Sequence, residues 1–453
     1  QDVLTLRKPF YLLGTYAWML FAMMGGFFLF LRSLRIRILP AVIGSIAWAF
    51  SSYFLILIMA GHIWKLTAMC FIPPTLAGMI WIYNGRWLAG GSVMAFFTAL
   101  QVLANHVQMS YYFLFVMFFM VLAFLAEAIR TKRIRHFFLS SAVVVIAGLV
   151  GVAVNSTNLF HTYQYGKETM RGGSELTLKQ SGALTDQVTH ENKSGLDKAY
   201  ITQWSYGIGE TWTLLVPNTK GGASVPMSAN PIVQEKGNPE LSYLYQQIGQ
   251  YWGEQPGTSG PVYVGAFVLM LFILGLFIVK GPMKWALLAA TVLSVALSWG
   301  KNMMWLTDLF IDYMPLYAKF RTVASILVVA EFTIPLLAML ALKKIIDEPE
   351  VLTQKIKYVY ASFGLTAGIA LLFALMPSVF FGSFVSSDEI RALSQFPPQQ
   401  LNPILADLTA VRQAIFKADC WRSFWIILIG TAFLLLYKAK KLKAEYMIGA
   451  LTL

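Results

Sequence analysis

The chain has 453 residues, 57% hydrophobic and 13% charged, with a formal net charge of +13. A mean hydropathy of +0.62 excludes an ordinary soluble domain, which is about a quarter charged. The positive balance does not call for nucleic acid, because Lys and Arg collect in the cytoplasmic loops of membrane proteins, and two cysteines, Cys70 and Cys420, make no disulfide framework.

Roughly 20 apolar residues span a bilayer as a helix. Apolar stretches fall at 11–31, 40–60, 66–83, 87–104, 108–129, 137–154, 261–279, 285–299, 323–342, 355–376, 423–437 and from 446 onward. They predict an all-α polytopic membrane protein with about 11–12 transmembrane helices and a large outward-facing loop domain of mixed content. Residues 1–154 read as a first bundle of six helices, 155–260 as an extracytoplasmic lobe, and 261–453 as a second bundle. Gln1 is not an initiator, no secretory signal precedes it, and the last apolar run is too short to cross. Both ends therefore read as cut, and the chain as an internal piece of a longer protein.

Charge sets the orientation. Arg32, Arg35 and Arg37 follow the first segment, Arg86 the third, and Arg130, Lys132, Arg133 and Arg135 the fifth. Lys280 and Lys284 come between the seventh and eighth. Lys343, Lys344, Lys355 and Lys357 flank the ninth and tenth, and Lys438, Lys440, Lys441 and Lys443 follow the eleventh. If each segment crosses once, these 18 of the 35 Lys and Arg share one side, which is then cytoplasmic. The lobe then faces outward.

Two more outward stretches carry structure. Met303 to Tyr313 reads as a short interfacial helix ended by Pro315. Over 386–418, Ser386 with Glu389 makes a capping box, and Asn402-Pro403 marks a second helix start. Leu401, Ile404, Leu405, Leu408, Val411 and Ile415 then recur at helical spacing, as in an amphipathic helix resting on the membrane or on the lobe.

Four of the five histidines, His62, His106, His161 and His190, fall on the outer side. His62 and His106 sit in tight turns that open toward the lobe, where His serves as a general base or hydrogen-bond donor. The same residues suit an ordinary interface belt; His136 lies among cytoplasmic arginines. The lobe contributes Lys167, Glu168, Arg171, Trp204, Tyr206, Glu210 and Trp212, then Tyr251-Trp252-Gly253-Glu254. Aromatics beside carboxylates fit a carbohydrate pocket and fit plain packing equally. Lys319 and Arg321, before a helix start, fit either a phosphate site or cations snorkelling to headgroups. Asp308 and Asp312, four apart, read as one acidic face, with a divalent ion as the sharper alternative. Glu331 lies mid-segment near Pro335, so it is either paired between helices or couples protons in a transporter.

The runs Gly61 to Lys65, Asn105 to Tyr112, Asn158 to Arg171, Thr202 to Glu210, Tyr251 to Tyr263 and Lys319 to Arg321 together resemble the YfhO-like bacterial membrane proteins, a branch of the GT-C glycosyltransferases. The resemblance implies transfer of a sugar from a polyprenyl-phosphate carrier to an envelope glycan, lipid or protein acceptor, among membrane lipids, and a location in the bacterial cytoplasmic membrane. Under that reading His62, His106 or Glu210 takes the acceptor's proton. Lys319, Arg321 and Arg171 neutralise the leaving phosphate, Lys65 joins the substrate-binding set, and Tyr251 and Trp252 position the sugar. The cofactor stays open, with a divalent cation as a candidate. The resemblance also implies an acid in the first outer loop, of which only Gln1 and Asp2 stand before the first segment, with Asp2 as a candidate for its tail, and a further outer domain after the last helix. A transporter or flippase of lipid-linked saccharides and a non-catalytic envelope scaffold are the alternatives. The scaffold predicts no enclosed polar cavity.

Overall fold

The computed structural model describes residues 14–169 and 196–450. Arg171, His190, Gln1 and Asp2 lie outside the described residues. Among those described, the regular structure is helical, and the only β pairing is a single bridge between Pro226 and Gly249. The described part of the lobe is built from short helices, 3₁₀ turns and irregular chain.

Among the described residues, seven helices are long and apolar enough to cross a membrane: Thr15–Ser33, Ile63–Tyr83, Val107–Arg130, Ile134–Ala153, Val323–Asp347, Ile356–Leu375 and Pro398–Lys438. Two bent pairs raise the number to nine: Ile38–Ala49 with Ser52–Met59, bent by 40°, and Met283–Ser298 with Gly300–Tyr313, bent by 110°. The difference from the larger expected number is one of length. Trp87–Leu103 and Ala266–Ile278 are apolar helices of 17 and 13 residues, about 26 and 20 Å long at 1.5 Å per residue. Both fall short of a hydrocarbon core of about 30 Å. The last apolar run makes only Ala444–Ala450.

Burial separates the helices. In Ile63–Tyr83 and Val323–Asp347, 89% of the apolar window is covered by protein, against 28% in Ile134–Ala153. The first two form the centre of the bundle. The central helix Ile63–Tyr83 carries Pro73 and Pro74 in its interior, a break that neighbouring helices make tolerable. Its closest partner is Trp87–Leu103. A Cβ on Gly78 would come within 2.6 Å of Met94 N, and one on Gly90 within 2.7 Å of Gly78 O, so the two backbones touch where only glycine fits.

The expected short helix is present as Met304–Tyr313. The Ser386/Glu389 capping box is present in full. The amphipathic segment after it does not form a separate helix starting at Asn402. It is the first half of one 41-residue helix, Pro398–Lys438. Its apolar face rests on the lobe, not on lipid: Ile404, Leu408, Val411 and Ile415 pack in one cluster with Met227, Val233, Leu244 and Tyr245. Arg412, 2% exposed, fastens the joint. It donates to both oxygens of Glu389 at 2.6 and 2.9 Å, to Phe384 O at 3.0 Å and to Gly249 O at 2.8 Å.

The basic turns collect at one end of the bundle. Arg35, Asn84, Glu127, Arg133 and His136 surround one hollow there, and Glu127, Arg130 and Lys280 another. Arg37 and Lys343 both pair with Asp347, at 3.4 and 3.3 Å. The helices that end in this basic cluster, Ile63–Tyr83 and Val107–Arg130, begin at His62 and His106. The two histidines thus stand at the other end, where the lobe is attached. There Ser52 Oγ donates to Pro261 O at 2.5 Å and accepts from Tyr263 N at 2.7 Å, and Ser423 Oγ donates to Leu215 O at 2.9 Å.

Candidate functional site

At that end lies a cavity of about 740 Å³. Its floor is the tops of helices and its roof is the lobe. His62 enters from the turn before Ile63–Tyr83, and Lys65 from that helix's first turn. His106 enters from the turn before Val107–Arg130, where Asn105 sits in the left-handed region at φ 54°, a conformation Asn tolerates better than most side chains. Arg321 comes from the chain ahead of Val323–Leu327. The roof is Trp204, Tyr206 and the stretch Gly257 to Gly260.

Each cation is held in place. Arg321 donates to Tyr200 Oη at 2.6 Å, with its guanidinium 5.6 Å from the Tyr200 ring centre. Its carbonyl accepts from Gln108 Nε2 at 2.7 Å, and the same amide donates to Tyr112 Oη at 2.8 Å. The turn carrying His106 and the strap carrying Arg321 are thereby tied together across 213 residues. The next residue, Thr322, has φ 62°, a left-handed backbone that is strained for a β-branched side chain. Lys65 Nζ donates to Ser325 Oγ at 3.3 Å. Burial, then Lys65 and Arg321, push the His62 imidazole below its usual pKa. Among the described residues the lining holds Lys65, Arg321 and two histidines and no carboxylate. Clustered cations without counter-charge attract an anion, and phosphate above all.

The other expected site residues are placed differently. Glu210 is 2% exposed and lies outside the lining. Its Oε1 accepts from Tyr251 Oη at 2.8 Å and Glu254 N at 2.6 Å, and its Oε2 from Gln255 Nε2 at 3.0 Å. Burial raises its pKa against the pull of those bonds. Gln255 lines the cavity, so Glu210 sits one side chain behind the wall and organises it. Gly253 makes this possible: a Cβ there would meet Glu210 Oε1 and Tyr251 Oη at 2.3 Å. Tyr251 and Trp252 also lie outside this lining and border a second cavity. Trp252 is buried against Phe384 and under Lys220, whose Nζ stands 3.8 Å from the ring centre. Lys319 is half-buried and is not in the lining. His161 is exposed on the Ser156–Lys167 helix. Asp308 and Asp312 both face Lys198, at 2.6 and 3.9 Å, which makes them ion-pair partners. No group of three or more His, Cys, Asp or Glu among the described residues is placed to hold a metal ion.

The sequence did not single out Tyr53, Thr322 or Ser325 for this cavity. Tyr53 donates to Ser325 O at 3.0 Å. The signal was slight: a serine and a threonine just past Arg321, and a tyrosine at the start of a helix. Comparison with known protein families, with curated proteins and with solved structures finds no match.

Proposed function

We propose that the chain is a membrane glycosyltransferase of the GT-C kind, moving a sugar from a polyprenyl-phosphate carrier to an envelope acceptor. The observation that carries the reading is the chamber. His62, Lys65, His106 and Arg321, up to 259 residues apart in sequence, line one cavity whose lining, among the described residues, holds no acidic side chain. Such a site suits the phosphate of a lipid carrier whose tail lies between the helices. In the reaction, an acceptor hydroxyl oxygen bonds to the anomeric carbon as the bond from that carbon to the phosphate oxygen breaks. The bonding pair leaves with the phosphate, and Lys65 and Arg321 stabilise the charge that grows there. The hydroxyl proton passes to His62 or His106. A neutral His62 is ready to accept it, and its depressed pKa favours that form. Glu210, Tyr251 and Gln255 position the wall beside the reacting centre rather than exchanging protons.

The same reading places the basic end in the cytoplasm and the chamber on the outer face of a bacterial cytoplasmic membrane. The two short apolar helices and both bent pairs then complete eleven crossings, with bilayer thinning accommodating the shortest. The test is sugar transfer by the full-length protein from a purified polyprenyl-phosphate sugar to envelope extract. Arg321→Ala and His106→Ala are each expected to lose most of the activity; full transfer by both variants contradicts the assignment.

One observation favours a transporter instead. Glu331 is completely buried in Val328–Asp347, and neither of its carboxylate oxygens has a hydrogen-bond partner among the described residues. It faces Ser51 without reaching hydrogen-bond geometry, at the break between Ile38–Ala49 and Ser52–Met59. A broken helix opposite a buried acid is a transporter feature. Saccharide transport that needs Glu331, without sugar transfer, would establish that reading.

A further inference from the structure

A second cavity, of about 500 Å³, adjoins the chamber. Ser224 and Gln255 line both, so a single layer of side chains divides them. That divider is well braced. Ser224 exchanges two hydrogen bonds with Thr258, N to O at 2.8 Å and Oγ from Thr258 N at 2.9 Å. Gln255 is held by Glu210, as is Tyr251.

The two linings differ in charge. Among the described residues, the chamber presents cations and no carboxylate, and the second cavity presents Asp388 and Glu389 and no Lys, Arg or His. Glu389 is committed to Arg412 and to the Ser386 cap. Asp388 is not committed in that way: its side chain is 90% exposed, and its pair with Arg391, 3.6 Å, is a surface one. Around it stand the amides of Gln247 and Gln255, the Ser386 hydroxyl, and the half-buried Tyr251 ring beside Pro256. Fixed acceptors and amides beside an aromatic ring match adjacent hydroxyls on an apolar sugar face. A phosphorylated or uronic-acid chain finds no counter-charge here and meets a carboxylate.

We infer that this second cavity takes an uncharged, polyhydroxylated chain, a glycan, whose end reaches the chamber past Ser224 and Gln255. The inference rests on the transferase reading, for which it names the acceptor's class. It is tested by saturation-transfer NMR on the full chain in nanodiscs. The probes are maltohexaose and cellohexaose, a hyaluronan hexasaccharide as the acidic counterpart, and, separately, farnesyl phosphate. At least one neutral hexasaccharide is expected to bind. Asp388→Ala should weaken it about tenfold, as loss of one charge-assisted hydrogen bond does. Arg321→Ala should leave it within about twofold, because that residue is outside the cavity. Asp388 is exposed, so its variant leaves the fold intact. Farnesyl phosphate should show the reverse pattern, weakened by Arg321→Ala and indifferent to Asp388→Ala. Binding of neither neutral hexasaccharide overturns the inference. So does equal binding of the acidic one, or neutral binding that ignores Asp388→Ala. Failure of the donor reading shows separately, as farnesyl phosphate binding that ignores Arg321→Ala.

Discussion

Arg321 and His62 meet at the rim of the chamber, and their charges act on each other. Burial lowers the His62 pKa first, and Lys65 and Arg321 lower it further. The shift favours the neutral imidazole relative to its usual pKa of about 6.5. If His62 is the base, the acid limb of the transfer rate lies below that pH. Replacing Lys65 with Met removes one of the two cations, so the limb should move to higher pH; a pH–rate profile of Lys65→Met reads this. Replacement of Arg321 with Lys keeps the charge but loses the planar fork and the stack on Tyr200, so it should recover little of the activity lost in Arg321→Ala. Glu210 calls for a different experiment. Glu210→Ala leaves Tyr251, Glu254 N and Gln255 without their acceptor, at about 1–3 kcal/mol for each donor left unpaired. Glu210→Gln keeps at least one acceptor oxygen. Thermal unfolding should therefore separate the two, with Ala the less stable; equal melting temperatures would contradict the hub role. The sequence pointed to His62, His106 and Arg321 because each stands in a short polar interruption between apolar runs. It grouped Glu210, Tyr251 and Trp252 with these residues although they lie outside the chamber lining, because a stretch rich in aromatics and acids reads alike whether it lines a cavity or builds its wall.

The longest helix, Pro398–Lys438, joins the lobe to the bundle, and Arg412 is its fastening. Arg412→Met leaves Glu389 half-buried without its partner. Breaking a buried pair from one side costs about 3–5 kcal/mol, and Glu389's partial exposure, 22% of its side chain, puts this case at the lower end. The pair also sets an acid limit. Burial raises the Glu389 pKa, but Arg412 and the Ser386 cap outweigh it and the net shift is downward. A carboxylate with a depressed folded pKa contributes stability above its unfolded pKa of about 4.3 and loses it as pH falls through the folded value. Unfolding measured from pH 6 down to about 3 should show wild type losing stability that Arg412→Met never had. The capping box was legible because its two residues lie three apart. The continuity of the helix was not. Pro403 follows Asn402 as at a helix start, yet the structure begins at Pro398, so Pro403 falls inside the helix, five residues past its first residue.

Across the whole molecule, the basic turns and the chamber occupy opposite ends of the same helices. Periodicity and charge in the sequence carried that arrangement, since alternate crossings place every basic loop together. Span length was less legible, because an apolar run does not say where a helix stops; 261–279 yields only Ala266–Ile278. The packing of the lobe on the long helix was not legible at all, since it depends on contacts such as Tyr245 with Asp407 and Asn218 with Asp419, each spanning more than 160 residues. The Gly78–Gly90 crossing holds the centre of the bundle together. Gly90→Leu should destabilise the protein in detergent by at least as much as overpacking a core does, about 1–3 kcal/mol. An unchanged unfolding midpoint would place the crossing elsewhere.

The central claim is that a polyprenyl-phosphate sugar sits with its phosphate among His62, Lys65, His106 and Arg321. Photo-crosslinking tests it most directly, with a reactive group carried next to the phosphate of a polyprenyl-phosphate sugar and the full chain in a bilayer. Labelled peptides are expected from 62–65, 104–108 and 319–325, with labelling lost in Arg321→Ala. Labelling confined to the basic end near Glu127 and Lys280, or to the Ser51–Glu331 break, would contradict it.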